Sequence, residues 1–171
     1  MLTLDTQTGE LARAVIDACK SRGLRLVTAE SLTAGLIAGA LTTIPGSSDV
    51  VDRAFVVYSY AAKAQMLGVP YDLVRSCCAV SEAVARAMAE GALARSYPEA
   101  QLSVAVTGGA GPGDLDAARP AGLVHLAAAR RGAATLHREQ RFGPLGRAEV
   151  RAQTVRVALE LLLELACARA D

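Results

Sequence analysis

Apolar positions along the chain switch repeatedly between helical and strand spacing, and each switch marks an element. Leu11, Ala14, Val15, Ala18 and Cys19 share one face of a helix that Gly23 ends. Leu24, Leu26 and Val27 then read as a buried strand reaching Thr28, after which Leu32, Leu36, Ile37, Ala40 and Leu41 return to helical spacing. The change falls at Glu30-Ser31, which puts Ser31 on a strand-to-helix turn, at the head of a helix running to about Thr42. Ile44, Pro45, Gly46, Ser47 and Ser48 form a loop, because proline and glycine together stop a helix. Val50, Val51 and residues 54–58 read as a second strand with Tyr58 at its end.

Ser59 is placed to cap a helix over residues 60–67, which breaks at Gly68-Val69-Pro70. Ser81 opens another, with Glu82, Arg86 and Glu90 on its solvent face and Val84, Met88 and Gly91 on a second face. Residues 102–107 alternate as a strand and run into a glycine-rich stretch, residues 108–113. Two runs flanking Arg130-Arg131-Gly132 predict a β-hairpin, and a long helix is expected from about Arg147, with Val150, Val157, Leu161 and Leu165 facing the core. Strands alternating with helices, followed by a hairpin, predict one three-layer α/β/α domain with a mixed sheet.

Composition narrows the function classes. The 171 residues are 52% hydrophobic and 20% charged with net charge +1, so nothing steers the chain toward nucleic acid or a membrane. Aromatic residues are four tyrosines and two phenylalanines, too few for a base-stacking platform. Residues 1–9 lack the features of a secretion signal and no apolar run approaches the roughly 20 residues that span a bilayer, so a cytoplasmic location is expected. Cys19, Cys77, Cys78 and Cys167 lack C-x-x-C spacing and read as small buried hydrophobes. His125 and His137 stand alone in their strand-like runs and read as structural, so no metal or other cofactor is expected. The apolar final helix suggests a homo-oligomer.

Three features carry candidate chemistry. Ser31 either caps its helix or presents its oxygen as a nucleophile. Lys63 is one of only two lysines, the other being Lys20, and it lies near a helix start, where the dipole disfavours a cation. Arg147 has the same placement. The glycines after residue 107 form either a turn or an anion cradle; they lack a Gly-Lys-Ser/Thr ending, and Pro112 removes a donor.

Several segments together resemble the CinA C-terminal domain family, whose free-standing members are nicotinamide-nucleotide amidases. They are Ala29-Glu30-Ser31 with Thr33 and Gly35, Pro45 beside Gly46-Ser47-Ser48, Tyr58-Ser59 with Ala62-Lys63, Val80-Ser81-Glu82, Thr107-Gly108 with Ala110-Gly111-Pro112-Gly113, Pro120 with Gly122, and Arg147 with Val150-Arg151. The resemblance implies hydrolysis of the carboxamide of nicotinamide mononucleotide to nicotinate mononucleotide and ammonia. It implies Ser31 as nucleophile, Lys63 as base and Tyr58 as helper. A lysine base must be neutral, which requires desolvation or a neighbouring cation such as Arg147. Backbone amides around Ser31 and at Gly46, Ser47 and Ser48 are expected to hold the oxyanion. Thr33, Thr107 and the backbone of Gly108, Gly109, Ala110 and Gly111, with Arg147, are expected to hold the phosphate.

The chain departs from the family pattern at Leu32, Ala34, Tyr60-Ala61 and residues 114–119, all beside the expected pocket. These departures keep two alternatives open: an amidase for another amide, and a nucleotide-binding module without turnover.

Overall fold

Strand β1 (Leu26–Glu30) is buried at every residue because it lies inside the sheet, with β2 (Val51–Val56) and β3 (Leu102–Gly108) parallel to it on either side. Antiparallel β4 (Leu123–Arg130) and β5 (Leu136–Arg141) complete the order β2-β1-β3-β4-β5. The structure, a computed structural model, describes residues 4–168. Helices α1 (Thr6–Ser21), α2 (Leu36–Thr42) and α6 (Arg147–Cys167) pack on one face of the sheet, around Leu26, Val104 and Leu126. Helices α3 (Tyr60–Leu67), α4 (Tyr71–Cys77) and α5 (Glu82–Arg95) cover the other, around Val27, Ala105 and Ala127. The fold is therefore the three-layer α/β arrangement with a mixed sheet that the sequence pattern predicts. No helix among the described residues is long and apolar enough to cross a membrane.

Caps agree with the sequence at Ser59 and Ser81, whose hydroxyls accept from Ala62 N and Val84 N. The structure differs at four places. Strand β1 starts at Leu26 and runs on to Glu30. Ser31 does not cap a helix: the chain turns through residues 32–35 before α2 begins at Leu36. Ala34 at φ +51° and Gly35 at φ +94° put a left-handed bend where helical spacing continued, and Leu32 keeps that spacing only because the turn buries it. Helix α4 follows Pro70, in a stretch to which the sequence assigned no element. Strand β2 ends two residues before Tyr58.

Cys19 agrees with its buried reading while Cys78 and Cys167 depart from it, and the two histidines meet across strands. Cys19 is buried, Cys78 is half-buried and Cys167 is exposed, while the Cys77 side chain lies outside the described residues. His125 and His137 are not alone: pairing of β4 with β5 stacks their rings 5.3 Å apart, with Nδ1 of His125 3.1 Å from Nε2 of His137.

Candidate active site

Ser31 stands at the carboxyl end of β1, beside the carboxyl end of β3, where its N–H donates to Val106 O at 3.2 Å. Glu30, immediately before it, is fully buried and has no ion pair among the described residues. Its carboxylate accepts from Gly35 N at 2.9 Å, Ile37 N at 3.1 Å, Ala38 N at 2.9 Å and Thr28 Oγ1 at 3.1 Å. The free amides at the start of α2 are thus satisfied by a strand residue, which closes the Ser31 turn into a rigid elbow.

Helix α3 brings Lys63 to this elbow. Its side chain is only 1% exposed, and Nζ lies 3.0 Å from Ser31 Oγ, 2.9 Å from Val57 O and 3.1 Å from Tyr58 O. Burial lowers its pKa from 10.5 to about 8. A neutral amine suits these three contacts: two N–H groups donate to the two carbonyls, and the lone pair is left to accept from the Ser31 hydroxyl. Desolvation is the cause of the shift. The alternative cause, Arg147, does not apply, because its guanidinium is directed to Gly111 O at 2.7 Å.

A cleft of about 410 Å³ opens over this pair, a size suited to a small ligand. It is lined by Ser31, Leu32, Tyr58, Lys63, Thr107 and Arg147, with the backbone of residues 108–113. Tyr58 contacts Lys63 through its carbonyl, while its side chain is 68% exposed on the rim. Thr107 donates its hydroxyl to Ala79 O at 2.6 Å, and Gly109 N–H is engaged by Leu123 O. Among the described residues the amides of Leu32 and Ala110 have no hydrogen-bond partner, and both residues line the cleft. The loop after β3 does not enter a helix but returns as β4, so no helix dipole adds to it.

Two groups of expected site residues lie elsewhere. Thr33 is fully buried outside the cleft, its carbonyl accepting from Leu36 N and Arg151 Nη2. Gly46, Ser47 and Ser48 precede β2, whereas Ser31 follows the parallel β1, so they sit at the opposite end of the sheet beside Lys20, whose Nζ pairs with Asp49 at 3.0 Å. They do not lie at the Ser31 turn or line its cleft, so the expected oxyanion role has no support from their position. Conversely, Ala79 lines the cleft with no mark in the sequence, and Val80, from a resembling motif, lines it with Asp114 and Leu115 of the departing segment 114–119, none of them with an expected role. Glu30 and Arg151 were noted in motifs but given no role. An acidic residue closing an apolar strand just ahead of a small-residue turn was the available signal for Glu30. No group of three or more His, Cys, Asp or Glu side chains among the described residues could hold a metal.

These features define an α/β domain with a buried serine–lysine pair at the carboxyl end of its parallel strands. The profile of the CinA C-terminal domain matches residues 8–166, and the chain belongs to this family. It is 44% identical over 154 residues to a CinA-like protein of Akkermansia muciniphila, a match covering 90% of this chain and 36% of that protein. A competence-damage inducible protein of Caldicellulosiruptor bescii is 46% identical over 116 residues, 68% of this chain and 28% of its own length. The chain thus spans about a third of the length of these relatives. Among solved structures, competence/damage inducible protein CihA from Agrobacterium tumefaciens superposes with TM-score 0.92 at 52% identity, covering 96% of this chain and 99% of that one. A CinA superfamily protein from Klebsiella pneumoniae gives TM-score 0.87 at 35% identity, covering 93% and 97%.

Proposed function

We propose that this chain is a metal-independent serine amidase of the cytoplasm that hydrolyses nicotinamide mononucleotide to nicotinate mononucleotide and ammonia, in recycling of pyridine nucleotides. The observation that carries the reading is Lys63 Nζ, buried and 3.0 Å from Ser31 Oγ, with two carbonyls to receive its protons when neutral. Neutral Lys63 takes the hydroxyl proton as Ser31 Oγ attacks the carboxamide carbon. The free amides of Leu32 and Ala110 are candidate donors to the developing oxyanion. Collapse breaks the C–N bond, Lys63 returns the proton to the departing nitrogen as ammonia leaves, and a nicotinoyl ester stays on Ser31. Water, deprotonated by Lys63, then releases the acid and restores the serine. Tyr58, on the rim, is the helper that meets the substrate as it binds. Arg147 supplies the cation for the phosphate at the mouth, against a wall formed by Thr107, Gly108, Gly109, Ala110 and Gly111.

Asp114 favours a second reading. Asp114 is among the cleft-lining residues, and its carboxylate, which accepts from Ala121 N at 2.8 Å, adds negative charge that disfavours a phosphate dianion, as suits an amide without one. Exposed Val56, Tyr58 and Tyr60, at and just beyond edge strand β2, support a homo-oligomer.

The test is ammonia release by purified chain from nicotinamide mononucleotide, its riboside and free nicotinamide, with Ser31→Ala alongside and no metal added. Turnover of the mononucleotide that Ser31→Ala abolishes is the expected result. Turnover of the riboside alone moves the assignment to the second reading, and silence with all three, accompanied by binding, leaves a non-catalytic nucleotide module.

A further inference from the structure

The first two turns of α6 carry two arginines, one at the cleft and one outside it. Arg147 Nη2 donates to Gly111 O at 2.7 Å, on the glycine-rich side. One turn further on, half-buried Arg151 donates through Nη2 to Thr33 O at 3.0 Å, on the turn that carries Ser31. Arg147 faces the cleft, whereas Arg151 does not line it.

We infer that Arg151 is a positioning residue, holding the Ser31 turn against α6 so that Ser31 Oγ stays in line with Lys63 and the Leu32 amide stays open to the cleft. This rests on the reading of Ser31 as nucleophile. The turn at residues 32–35 has few other ties. Ser31 N–H is fixed to Val106 O, Glu30 grips the far end from Gly35 onward, Ala34 N closes on Ser31 O at 3.2 Å, and Leu36 N donates to Thr33 O at 3.1 Å from within the turn. Between those points the backbone passes through the left-handed bend at Ala34 and Gly35, and the guanidinium of Arg151 is the side chain that fixes Thr33 from outside the turn. Helix α6 is a firm base for it, since Val150, Thr154 and Val155 around it are buried.

The local chemistry argues against stability as the reason for this contact. Arg151 Nε and Thr33 Oγ1 are both buried with no hydrogen-bond partner. An incompletely paired guanidinium stabilises a fold poorly. What it does provide is a rigid, planar donor aimed at one carbonyl, two residues from the reacting oxygen.

The experiment compares Arg151→Met and Arg151→Lys with the wild-type chain by steady-state ammonia release, by thermal melting, and by the rate at which a fluorophosphonate labels Ser31. In that labelling the Oγ–P bond forms as fluoride leaves, so it reads the nucleophile without reference to the amide substrate. Arg151→Met is expected to lower both kcat and labelling rate by about a hundredfold, as displacement of a reacting group does, with KM within about twofold of wild type. Arg151→Lys, which keeps one donor and the charge, is expected to recover part of both rates. Its recovery decides the matter if the methionine variant melts early, because a merely structural role would restore stability without restoring labelling. Unchanged labelling in a folded Arg151→Met, or a loss confined to KM, overturns the positioning role while leaving the amidase reading intact. A wild-type chain that is neither labelled nor active overturns the nucleophile itself, and this role with it.

Discussion

Glu30 Oε1 lies 2.9 Å from the amide nitrogen of Ala38, across the whole turn that holds Ser31. With Gly35 and Ile37 donating to the other oxygen and the Thr28 hydroxyl to the first, a buried carboxylate is satisfied by three main-chain amides and one side chain. Glu30→Gln keeps the shape but turns an NH2 group toward N–H donors, so a stability loss of about 2–3 kcal/mol is expected. Urea denaturation reads it directly. An unchanged midpoint would show that the charge is not what holds the elbow.

Lys63 makes two pH predictions of opposite origin. As base it must be neutral, so kcat/KM should rise with pH through a midpoint near its pKa of about 8. The stability effect follows from the depressed folded value. Between about 8 and the ordinary 10.5 the unfolded chain binds the extra proton, so this residue makes stability rise with pH across that window. Below it the charged side chain is buried at a cost. Lys63→Met should therefore abolish turnover, raise stability at neutral pH and flatten the alkaline rise, all measurable by denaturation at several pH values; a variant less stable than wild type at pH 7 contradicts the burial argument.

Gly108 belongs to β3 and faces β4 at close range. A Cβ there would lie 2.7 Å from Leu123 O and 2.9 Å from Val124 Cα, both backbone atoms that cannot move aside cheaply. Gly108→Ala should cost about 1–3 kcal/mol, comparable to overpacking elsewhere in cores, and lower kcat by shifting the cleft wall. Retained stability would mean that the two strands separate without penalty.

The stacked His125 and His137 lie behind that wall, with Glu82 3.5 Å from His137 Nδ1. Burial lowers the pKa of both below the ordinary 6.5. The unfolded chain then takes up protons first, so stability falls as pH drops through about 6.5 and toward the folded values. His125→Phe should blunt that fall. Equal acid sensitivity in wild type and variant would place its origin elsewhere.

The sheet and the helix caps are legible because each leaves a local mark, spacing or a serine before a helix, whereas the pairing of Ser31 with Lys63 is implied only by the resemblance of their motifs to those of the family. Positions that depend on the far ends of strands are not legible. Gly46, Ser47 and Ser48 lie close to Ser31 in sequence but precede a strand parallel to its own, so the topology carries them to the opposite end of the strands. Thr33 is adjacent to the elbow, yet the left-handed bend turns it inward. The depressed pKa of Lys63 comes from burial, which depends on residues around it from several elements, so it could be required by the chemistry but not read from neighbours along the chain. Helix α4 follows a proline and fills only seven residues, too short for periodicity to announce it.

The elbow at Glu30 uses main-chain amides rather than side chains of the residues it grips. Every residue type except proline offers the same amide. Gly35 is held by its left-handed φ and Ile37 by the core, but drift at half-buried position 38 is uncoupled, as far as this grip is concerned, from the geometry of the reacting oxygen. A lineage can remodel the outer surface of α2, and whatever that surface meets, while inheriting the serine in register.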